Sequence, residues 1–517
     1  MSNVVLLIID GYGIAPHNNG NMIDLAKTPN LRKLMSRYPT MALSASGEDV
    51  GLSVEEVPGC DRAHLTIGTG RTIYNNKFNI NCAIKDLSFY INDTLLKTIN
   101  HVKTHNTNLH LIGVLNKDSL YGDVNHLYAL LYLSKRQGIR NVYIHGIIEG
   151  DHNDSVRVFK SVTETLARIK KIGVGCVVTL SGSFYAMDRF NYWNRVEKSY
   201  NTMVNSQSRY TFSNPLNAIE DSYGKGLSAS DFVPTSILYE DSKTPISISD
   251  NDGVIFCNYR GDSLRALVTA FTQNDFDKFP TGQLNNVFVA TMTEYGAGPN
   301  IHVAYKESIV GESLAKIISD NNMSQLHLAS PEKYPYVTHY FNGCQDTLFP
   351  MSDNILIDVK IDKIQNEAKE ISKKIITAIE KKSYNFIVAN FSAIDVVAHT
   401  GDIKKTISAI ETVDKYIGDI MESLLMNNFT AIIASDHGYS ENLLDANTET
   451  INKGHSNNLV PFIVISRELE GKTGGVEQVE NDLSALPVSG TLKDVAPTIL
   501  KLLDIKDARG MEGRSII

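Results

Sequence analysis

The chain is 517 residues long and carries a net charge of −9 at neutral pH, with 49 lysines and arginines against 58 aspartates and glutamates. This length is sufficient for two or three domains, since one domain commonly takes roughly 100–200 residues. An acidic chain lacks the basic surface with which proteins bind nucleic-acid phosphates, so we expect no nucleic-acid partner. Hydrophobic residues make up 42% of the chain and charged residues 21%, a balance that is typical of a protein that folds throughout.

The chain opens with a short apolar run, residues 4–9, that ends at Asp10. A basic leader and a small-residue cleavage site are both missing around it, so we interpret the run as a buried strand and not as a signal peptide. No apolar stretch approaches the roughly 20 residues that span a bilayer. The five cysteines are scattered without a CxxC spacing, which argues against a disulfide framework. We therefore expect a soluble, cytoplasmic protein with no membrane partner.

Three short β-rich runs each end close to an acidic residue. They are residues 4–9 before Asp10, residues 385–391 before Asp395, and residues 431–435 before Asp436. Between them lie segments with helical periodicity, such as residues 403–426. Fully apolar runs are typical of parallel strands that are covered on both faces, so the pattern predicts an α/β fold with a doubly wound, mainly parallel sheet. Such sheets bind ligands beyond the carboxyl ends of their strands, where these acids fall.

The predicted sheet joins the two ends of the chain, because the strand before Asp10 must lie beside strands that follow hundreds of residues later. The middle of the chain is therefore predicted to form a second, inserted α/β domain. The candidate hinges are residues 74–76 and residues 295–299, where glycine, proline and asparagine interrupt the pattern. We assign residues 1–75 and 300–517 to a discontinuous first domain, and residues 76–299 to the inserted domain.

Six side chains near the predicted strand ends form a candidate metal cage. Carboxylates and imidazoles suit Mn²⁺, Zn²⁺ or Mg²⁺, and two such ions close together can bind the attacking and leaving oxygens of a phosphoryl transfer. Each short motif is weak alone, since an Asp-His pair after a strand is more often an ordinary cap or turn. Their joint occurrence predicts a two-metal site. The six residues are Asp10, Asp395, His399, Asp436, His437 and His455.

Eight motifs, spread along most of the chain, carry a family resemblance. They are residues 7–14 (LIIDGYGI), 45–52 (ASGEDVGL), 64–71 (HLTIGTGR), 185–189 (YAMDR), 332–334 (EKY), 395–401 (DVVAHTG), 435–438 (SDHG) and 454–458 (GHSNN). In this order they resemble the motifs of the cofactor-independent phosphoglycerate mutases, a family of the alkaline phosphatase superfamily. The resemblance runs nearly end to end, and several of the motifs are too long to be chance.

The resemblance implies a phosphatase-like domain that holds two divalent metal ions, Mn²⁺ or Mg²⁺, and an inserted domain that completes the substrate site. Lys333 matches a lysine that contacts the phosphoryl group. The resemblance also implies a monomer that acts on a small phosphorylated substrate. The implied ligands are Asp395, His399 and His455 for one metal, and Asp10, Asp436 and His437, together with the nucleophile position, for the other.

The nucleophile position departs from the family. The family reads GNSEVGHL around its phosphorylated serine, whereas residues 58–65 read PGCDRAHL, so Cys60 stands at the serine position. A thiolate beside a divalent metal can attack phosphorus, or it can stay bound to the metal and favour Zn²⁺ over Mn²⁺ or Mg²⁺. We therefore give Cys60 two candidate roles, nucleophile and metal ligand, beside the alternative of a lost nucleophile. We expect a helix to begin near Asp61 and to present its N-terminus to this position.

The inserted domain departs further from the family at its substrate-binding residues. Tyr121 stands where the family has a histidine, and Asp151-His152 stands where it has an arginine-aspartate pair. Ser183 and Ser263 each replace an arginine. Arginine forks bind carboxylate and phosphate bidentately, so these losses work against a small dianion such as phosphoglycerate. The candidate substrate-binding residues are Arg189, Arg260, Arg265, Tyr121, Asp151 and His152.

Three functions stay open. The first is a phosphoryl-transfer enzyme with an altered substrate, either a mutase or a hydrolase of another small phosphoester or a phosphonate. The second is a glycolytic mutase of 3-phosphoglycerate and 2-phosphoglycerate that uses Cys60. The third is a catalytically dead scaffold whose metals are structural. The complete cage favours an enzyme, because drift without function would strike metal ligands as readily as substrate ligands.

Overall fold

A computed structural model describes residues 3–53, 56–117, 119–238, 244–282, 284–296, 298, 300–306, 310–445, 448–472 and 482–517. Ala297 and Pro299 of the second predicted hinge lie outside these described residues. The chain divides into two compact units, Met1–Asn75 with Ser308–Ile517, and Asn76–Glu307. The second unit therefore continues past residues 295–299, and it includes a short strand at His302–Val303.

The described residues contain two eight-stranded sheets, one in each unit. The strands are β1 (Val4–Ile9), β2 (Thr40–Ser44), β3 (Leu109–Val114), β4 (Val142–Ile148), β5 (Cys176–Gly182), β6 (Tyr210–Phe212), β7 (Thr235–Ile237), β8 (Gly253–Phe256), β9 (Phe288–Thr291), β10 (His302–Val303), β11 (Gln325–Ala329), β12 (Ser352–Leu356), β13 (Phe386–Phe391), β14 (Thr430–Ala434), β15 (Val460–Ile465) and β16 (Val488–Thr491).

Helices connect most of these strands. They are α1 (Met22–Leu25), α2 (Pro29–Arg37), α3 (Cys60–Thr69), α4 (Asn76–Lys85), α5 (Asp93–His105), α6 (Val124–Arg136), α7 (Ser155–Ile172), α8 (Ser183–Ala186), α9 (Trp193–Val204), α10 (Pro215–Gly224), α11 (Arg265–Thr272), α12 (Leu314–Asp320), α13 (Glu367–Glu380), α14 (Ala393–Ala398), α15 (Ile403–Met426) and α16 (Val495–Leu502). Within the described part of the chain, no helix is long and apolar enough to cross a membrane.

The sheet of the first unit has the strand order β12-β11-β13-β1-β14-β15-β2-β16. The central strand β1 pairs in parallel with β13 on one side and with β14 on the other, while β15 runs antiparallel to β14 and to β2. Alternate residues of β1 enter two different cores, since Val5 and Leu7 pack in one and Val4 and Leu6 in the other. Burial on both faces explains the continuous apolar run, and it confirms the predicted α/β fold with a mainly parallel sheet.

The sheet of the second unit has the order β10-β9-β8-β3-β4-β5-β7-β6. Only the pairing of β5 with β7 is antiparallel among its described strand pairs. All six residues of the central strand β3 are buried, as expected of a parallel strand between two layers of helices. This unit is therefore an α/β domain with a hydrophobic core of its own.

Two helices of the first unit are joined by a buried carboxylate. Helix α2 begins after Thr28, whose side chain makes no capping hydrogen bond. Asp414 of α15 accepts hydrogen bonds from the backbone N–H groups of Asn30 and Leu31, at 3.2 and 2.7 Å. A carboxylate at this position satisfies free N–H groups and is stabilised by the helix dipole. The long helix α15 therefore holds α2 in place from the side.

Candidate metal centre

The carboxyl ends of three neighbouring parallel strands supply the acidic side chains of the centre. Asp10 directly follows β1, and Asp436 lies two residues beyond the end of β14. Asp395 lies in the first turn of α14, which begins two residues after β13. Because β1 pairs with both β13 and β14, the three carboxylates meet at one edge of the sheet.

One group of ligand atoms surrounds Cys60. The Sγ atom of Cys60 lies 3.0 Å from Nε2 of His437 and 3.7 Å from Oδ1 of Asp10. Nε2 of His437 lies 3.5 Å from Oδ2 of Asp436. One ligand atom from each of Asp10, Cys60, Asp395 and His437 lies within 4.8 Å of the others, and all four residues are buried. The structure therefore brings a thiol, an imidazole and several carboxylates to one point.

A second group surrounds Asp395 and is more open to solvent. Nε2 of His399 and Nε2 of His455 each lie 3.5 Å from Oδ1 of Asp395, and 3.2 Å from each other. His399 caps the C-terminus of α14, so it is held one helical turn after Asp395. Asp395 belongs to both groups, so its carboxylate could reach an ion held in either one.

These side chains fit divalent metal ions. Oδ1 of Asp395, Oδ2 of Asp436 and Nδ1 of His437 are buried without a hydrogen-bond partner among the described residues. Buried polar atoms normally have a partner, because leaving one unpaired costs free energy. Burial and the charge of Asp10 also raise the pKa of Asp436, which is the effect of two carboxylates in one enclosed site. A bound cation would satisfy these oxygens and compensate their charge.

Lys333 places a positive charge in the middle of the centre. It lies shortly after β11 and is almost fully buried. Its Nζ atom donates to Sγ of Cys60 at 2.8 Å and to Oδ2 of Asp395 at 2.9 Å, and it lies 2.9 Å from Oδ2 of Asp10. Burial alone would lower the pKa of Lys333, but the negative charges of Asp10 and Asp395 raise it well above its usual value. The ammonium group is therefore a fixed cation beside the thiol.

Cys60 is the first residue of helix α3 and follows Gly59, the N-cap. The helix begins one residue earlier than the predicted start near Asp61, so the thiol itself stands at the N-terminus. A helix N-terminus favours an anion. Burial and the nearby carboxylates of Asp10 and Asp436 act in the opposite direction and raise the pKa of the thiol well above its usual value. Without a further cation, these residues hold Cys60 in the protonated form.

Sequence reasoning did not find two buried residues that support the centre. Asn390 donates through Nδ2 to Oδ2 of Asp10 at 3.0 Å. Glu367, the first residue of α13, accepts from Oγ of Ser392 at 2.5 Å and from the N–H of Ala393 at 2.8 Å, which fixes the start of α14. A glutamate at the start of an amphipathic helix looks like a solvated residue, so no local signal indicated that it is buried.

The second unit brings three of its six candidate residues together. The guanidinium carbons of Arg189 and Arg260 lie 5.3 and 5.2 Å from the ring centroid of Tyr121. Both arginines also contact one carboxylate, that of Asp262, at 3.4 Å from Arg189 and 3.1 Å from Arg260. Aromatic faces and carboxylates are the two usual partners of arginine. Each of the two guanidinium groups therefore already contacts an aromatic ring and a carboxylate of the protein.

The other candidate residues of this unit have different local roles. Arg265 donates through Nε to the backbone carbonyl of Tyr295 at 3.1 Å, and it lines a cleft with Arg189 and Asp262. Asp151 and His152 are exposed and begin a short helical turn, which Asp151 caps together with Asp154. The structure thus gives this pair a capping geometry at the start of α7.

The fold and the cluster of potential ligands define the class of the protein, a member of the alkaline phosphatase superfamily with a candidate metal centre. A family model described as type I phosphodiesterase / nucleotide pyrophosphatase matches residues 281–482, and one for the BPG-independent PGAM N-terminus matches residues 80–297. A phosphoglycerate mutase structure from Leishmania mexicana covers 99% of this chain and 97% of its own with a TM-score of 0.69. At 22% identity, this likeness shows the fold.

Curated relatives of nearly the same length identify the family. A 2,3-bisphosphoglycerate-independent phosphoglycerate mutase from Moorella thermoacetica is 34% identical over 521 residues, which cover 99% of this chain and 98% of the relative. Proteins of the same name from Staphylococcus aureus and Francisella philomiragia are 34% and 32% identical over 517 residues, with the same coverage. The chain belongs to the 2,3-bisphosphoglycerate-independent phosphoglycerate mutase family. The resemblance stated from the motifs is thereby confirmed.

Proposed function

We propose that the protein is a two-metal phosphoryl-transfer enzyme that acts on a small phosphoester other than phosphoglycerate. The observation that carries the proposal is the position of Lys333, whose Nζ lies within 2.9 Å of the Cys60 thiol and of the Asp10 and Asp395 carboxylates. A purely structural metal site needs ligands that enclose the ion. A cation held beside a nucleophilic atom is instead placed to stabilise the negative charge of a reacting group.

The ligands divide between two candidate metal sites, and Asp395 lies close to both groups. We propose Asp10, Cys60, Asp436 and His437 for one ion, and Asp395, His399 and His455 for the other. The thiol favours Zn²⁺ at the first site, whereas the second set of ligands also suits Mn²⁺. When bound, two divalent ions lower the pKa of the Cys60 thiol and neutralise the charge that develops on the phosphoryl oxygens.

The residues of this chain then divide the transfer between them. After its proton has passed to solvent, the Cys60 thiolate attacks phosphorus, so an S–P bond forms while the P–O bond to the leaving group breaks. The leaving oxygen takes the bonding electrons and then a proton from solvent. Lys333 is placed to donate hydrogen bonds to the transferred group. Transfer from sulfur to another hydroxyl of the same compound gives a mutase, and transfer to water gives a hydrolase.

The second unit supports a substrate different from phosphoglycerate. The resemblance assigns Arg189 and Arg260 to substrate binding, yet each guanidinium already contacts the Asp262 carboxylate and the Tyr121 ring. Asp262 neutralises one of the two positive charges. The pair therefore offers less charge and fewer free N–H groups to a dianion than two unpaired arginines would.

A specific observation also favours a second candidate, phosphoglycerate mutation itself. The Moorella thermoacetica relative carries that name and aligns with 99% of this chain at 34% identity. In this case Cys60 would replace the family's serine as phosphoryl acceptor, and Arg189 and Arg260 would have to exchange Asp262 for substrate.

An assay of the metal-reconstituted protein separates the two candidates. We would load the protein with Zn²⁺, Mn²⁺ or both, and follow a panel of small sugar and alcohol phosphates beside an enolase-coupled assay with 3-phosphoglycerate. We expect turnover of at least one panel member, its loss in Cys60→Ala, and little or no mutase activity. Mutase turnover within the usual enzymatic range of about 1–10³ s⁻¹ would establish the second candidate. Absence of all metal-dependent turnover would contradict both.

A further inference from the structure

Glu441 lies in a short helical turn, Ser440–Asn442, shortly after the metal ligands Asp436 and His437. Its side chain is 1% exposed. Among the described residues, four groups donate hydrogen bonds to the carboxylate, and all four are uncharged. The donors are the N–H of Gly13 at 3.0 Å, the N–H of Tyr439 at 2.8 Å, Nδ2 of Asn458 at 2.9 Å, and Oγ of Ser456.

These four donors belong to three of the segments that carry candidate metal ligands, each from a separate part of the chain. Gly13 lies three residues after Asp10, and Tyr439 lies two residues after His437. Ser456 and Asn458 follow His455 in the GHSNN motif. One buried carboxylate therefore ties together the loops after β1 and β14 and the loop that precedes β15. It also gives a physical reason for the serine and the last asparagine of that motif.

The surrounding backbone is shaped to admit this carboxylate. A Cβ atom on Gly13 would lie 2.3 Å from Cδ of Glu441, and one on Gly438 would lie 2.5 Å from its Oε1 and 2.3 Å from Oγ of Ser456. Any side chain at these positions would displace Glu441. The backbone N–H of Ser456 also donates to the carbonyl of Gly438 at 2.8 Å, so the His437 and His455 segments pair directly beside it.

We propose that Glu441 is a positioning residue for the metal centre, and that its main effect is on the metal held by Asp395, His399 and His455. His455 lies in the loop before β15, and outside the metal centre its Nδ1 contacts the carbonyl of Pro58 at 2.7 Å. Glu441 holds the residues that directly follow it. The inference rests on the metal centre of the proposed function but not on the substrate.

The test is a titration of the metal-free protein with Co²⁺ alone, followed by absorption spectroscopy. A thiolate-to-metal charge-transfer band reports the Cys60 site, and the part of the d–d absorption that grows without a change in this band reports the second ion. In Glu441→Gln an amide NH₂ must face groups that are themselves donors, so we expect affinity for the second ion to fall about 10–100-fold, with the charge-transfer band retained. Ser456→Ala removes only one of these four hydrogen bonds and should leave the protein folded. It should lower the affinity for the second ion by a smaller factor.

Asp414→Asn is the matched control, because Asp414 is also a buried carboxylate that accepts from uncharged donors, Asn30 and Leu31. It should lower stability and leave both Co²⁺ affinities unchanged. Unchanged Co²⁺ binding in both Glu441→Gln and Ser456→Ala would overturn the inference, as would an equal loss in Asp414→Asn. Absence of the charge-transfer band in the wild type would instead refute Cys60 as a ligand, which keeps the two failures distinguishable.

Discussion

Cys60 stands where the motif resemblance places the family's serine, and its thiol lies between Lys333, His437 and Asp10. We expect Cys60→Ser to shift the metal preference of its site from Zn²⁺ toward Mn²⁺ and Mg²⁺, because a hydroxyl is a harder ligand than a thiolate. Competition titrations with Zn²⁺ and Mn²⁺ measure the shift. Cys82→Ser, at an exposed cysteine, is the control. Identical preferences in all three proteins would show that Cys60 is not a ligand.

Lys333 should matter for rate and much less for metal binding. We expect Lys333→Met to lower kcat about 10²–10³-fold, the usual cost of losing one preorganised donor to a developing anion. The carboxylates that it contacts would stay available, so two equivalents of metal should still bind. Steady-state kinetics and metal analysis check both parts, with Lys415→Met on the exposed face of α15 as the control. An unchanged kcat would show that Lys333 takes no part in the reaction.

Glu367 gives a stability change with a defined pH window. Burial is the main cause that raises its pKa from 4.5 to about 7. An acid whose pKa is raised by folding stabilises the protein fully below pH 4.5, and this contribution is lost as pH rises through 7. As the pH rises through that window, the unfolding free energy of the wild type should therefore fall by about 3 kcal/mol relative to that of Glu367→Gln. Urea unfolding of metal-free protein at both ends measures it, and a pH-independent difference would contradict the assignment.

At the scale of elements, the link between α2 and α15 is open to a direct test. Asp414→Ala leaves the N–H groups of Asn30 and Leu31 without the acceptor seen in the structure, and we expect the unfolding free energy to fall by about 1–3 kcal/mol. Thermal or urea unfolding measures the loss. Thr28→Ala, at the N-cap that makes no side-chain hydrogen bond, should have a much smaller effect. Equal losses in the two variants would show that Asp414 does not cap α2.

Local pattern predicted some elements well. The strand at residues 4–9 and the helix at residues 403–426 have the bounds that their apolar periodicity indicates, because each is decided by burial along its own length. The start of α3 at Cys60 agrees with the prediction of a helix that begins near Asp61, but its N-cap is Gly59, which has no side chain to mark the exact residue. Helix caps of this kind leave little signal in a sequence.

At the scale of the whole molecule, most of the segments whose acidic and histidine side chains meet at the end of the first sheet could be predicted, because each carries a recognisable motif beside a strand. The residues that hold those segments together could not. Glu441 and Asn390 act through hydrogen bonds to residues hundreds of positions away, such as Gly13 and Asp10. Their own neighbours in the chain give no sign of this. The pairing of Arg189 with Asp262 likewise could not be predicted, because it depends on the folded unit that brings the residues after α8 and β8 together. Arg260 contacts the same carboxylate.

The central claim is that Asp10, Cys60 and their neighbours form a two-metal centre, and the metal content of reconstituted protein tests it most directly. We would remove metal, add Zn²⁺ and Mn²⁺, dialyse, and determine bound metal by elemental analysis, with Asp395→Asn as the variant that disturbs the shared ligand. The account predicts about two equivalents in the wild type, in line with the two overlapping ligand groups, and fewer in the variant. A wild-type content near zero after reconstitution would contradict it.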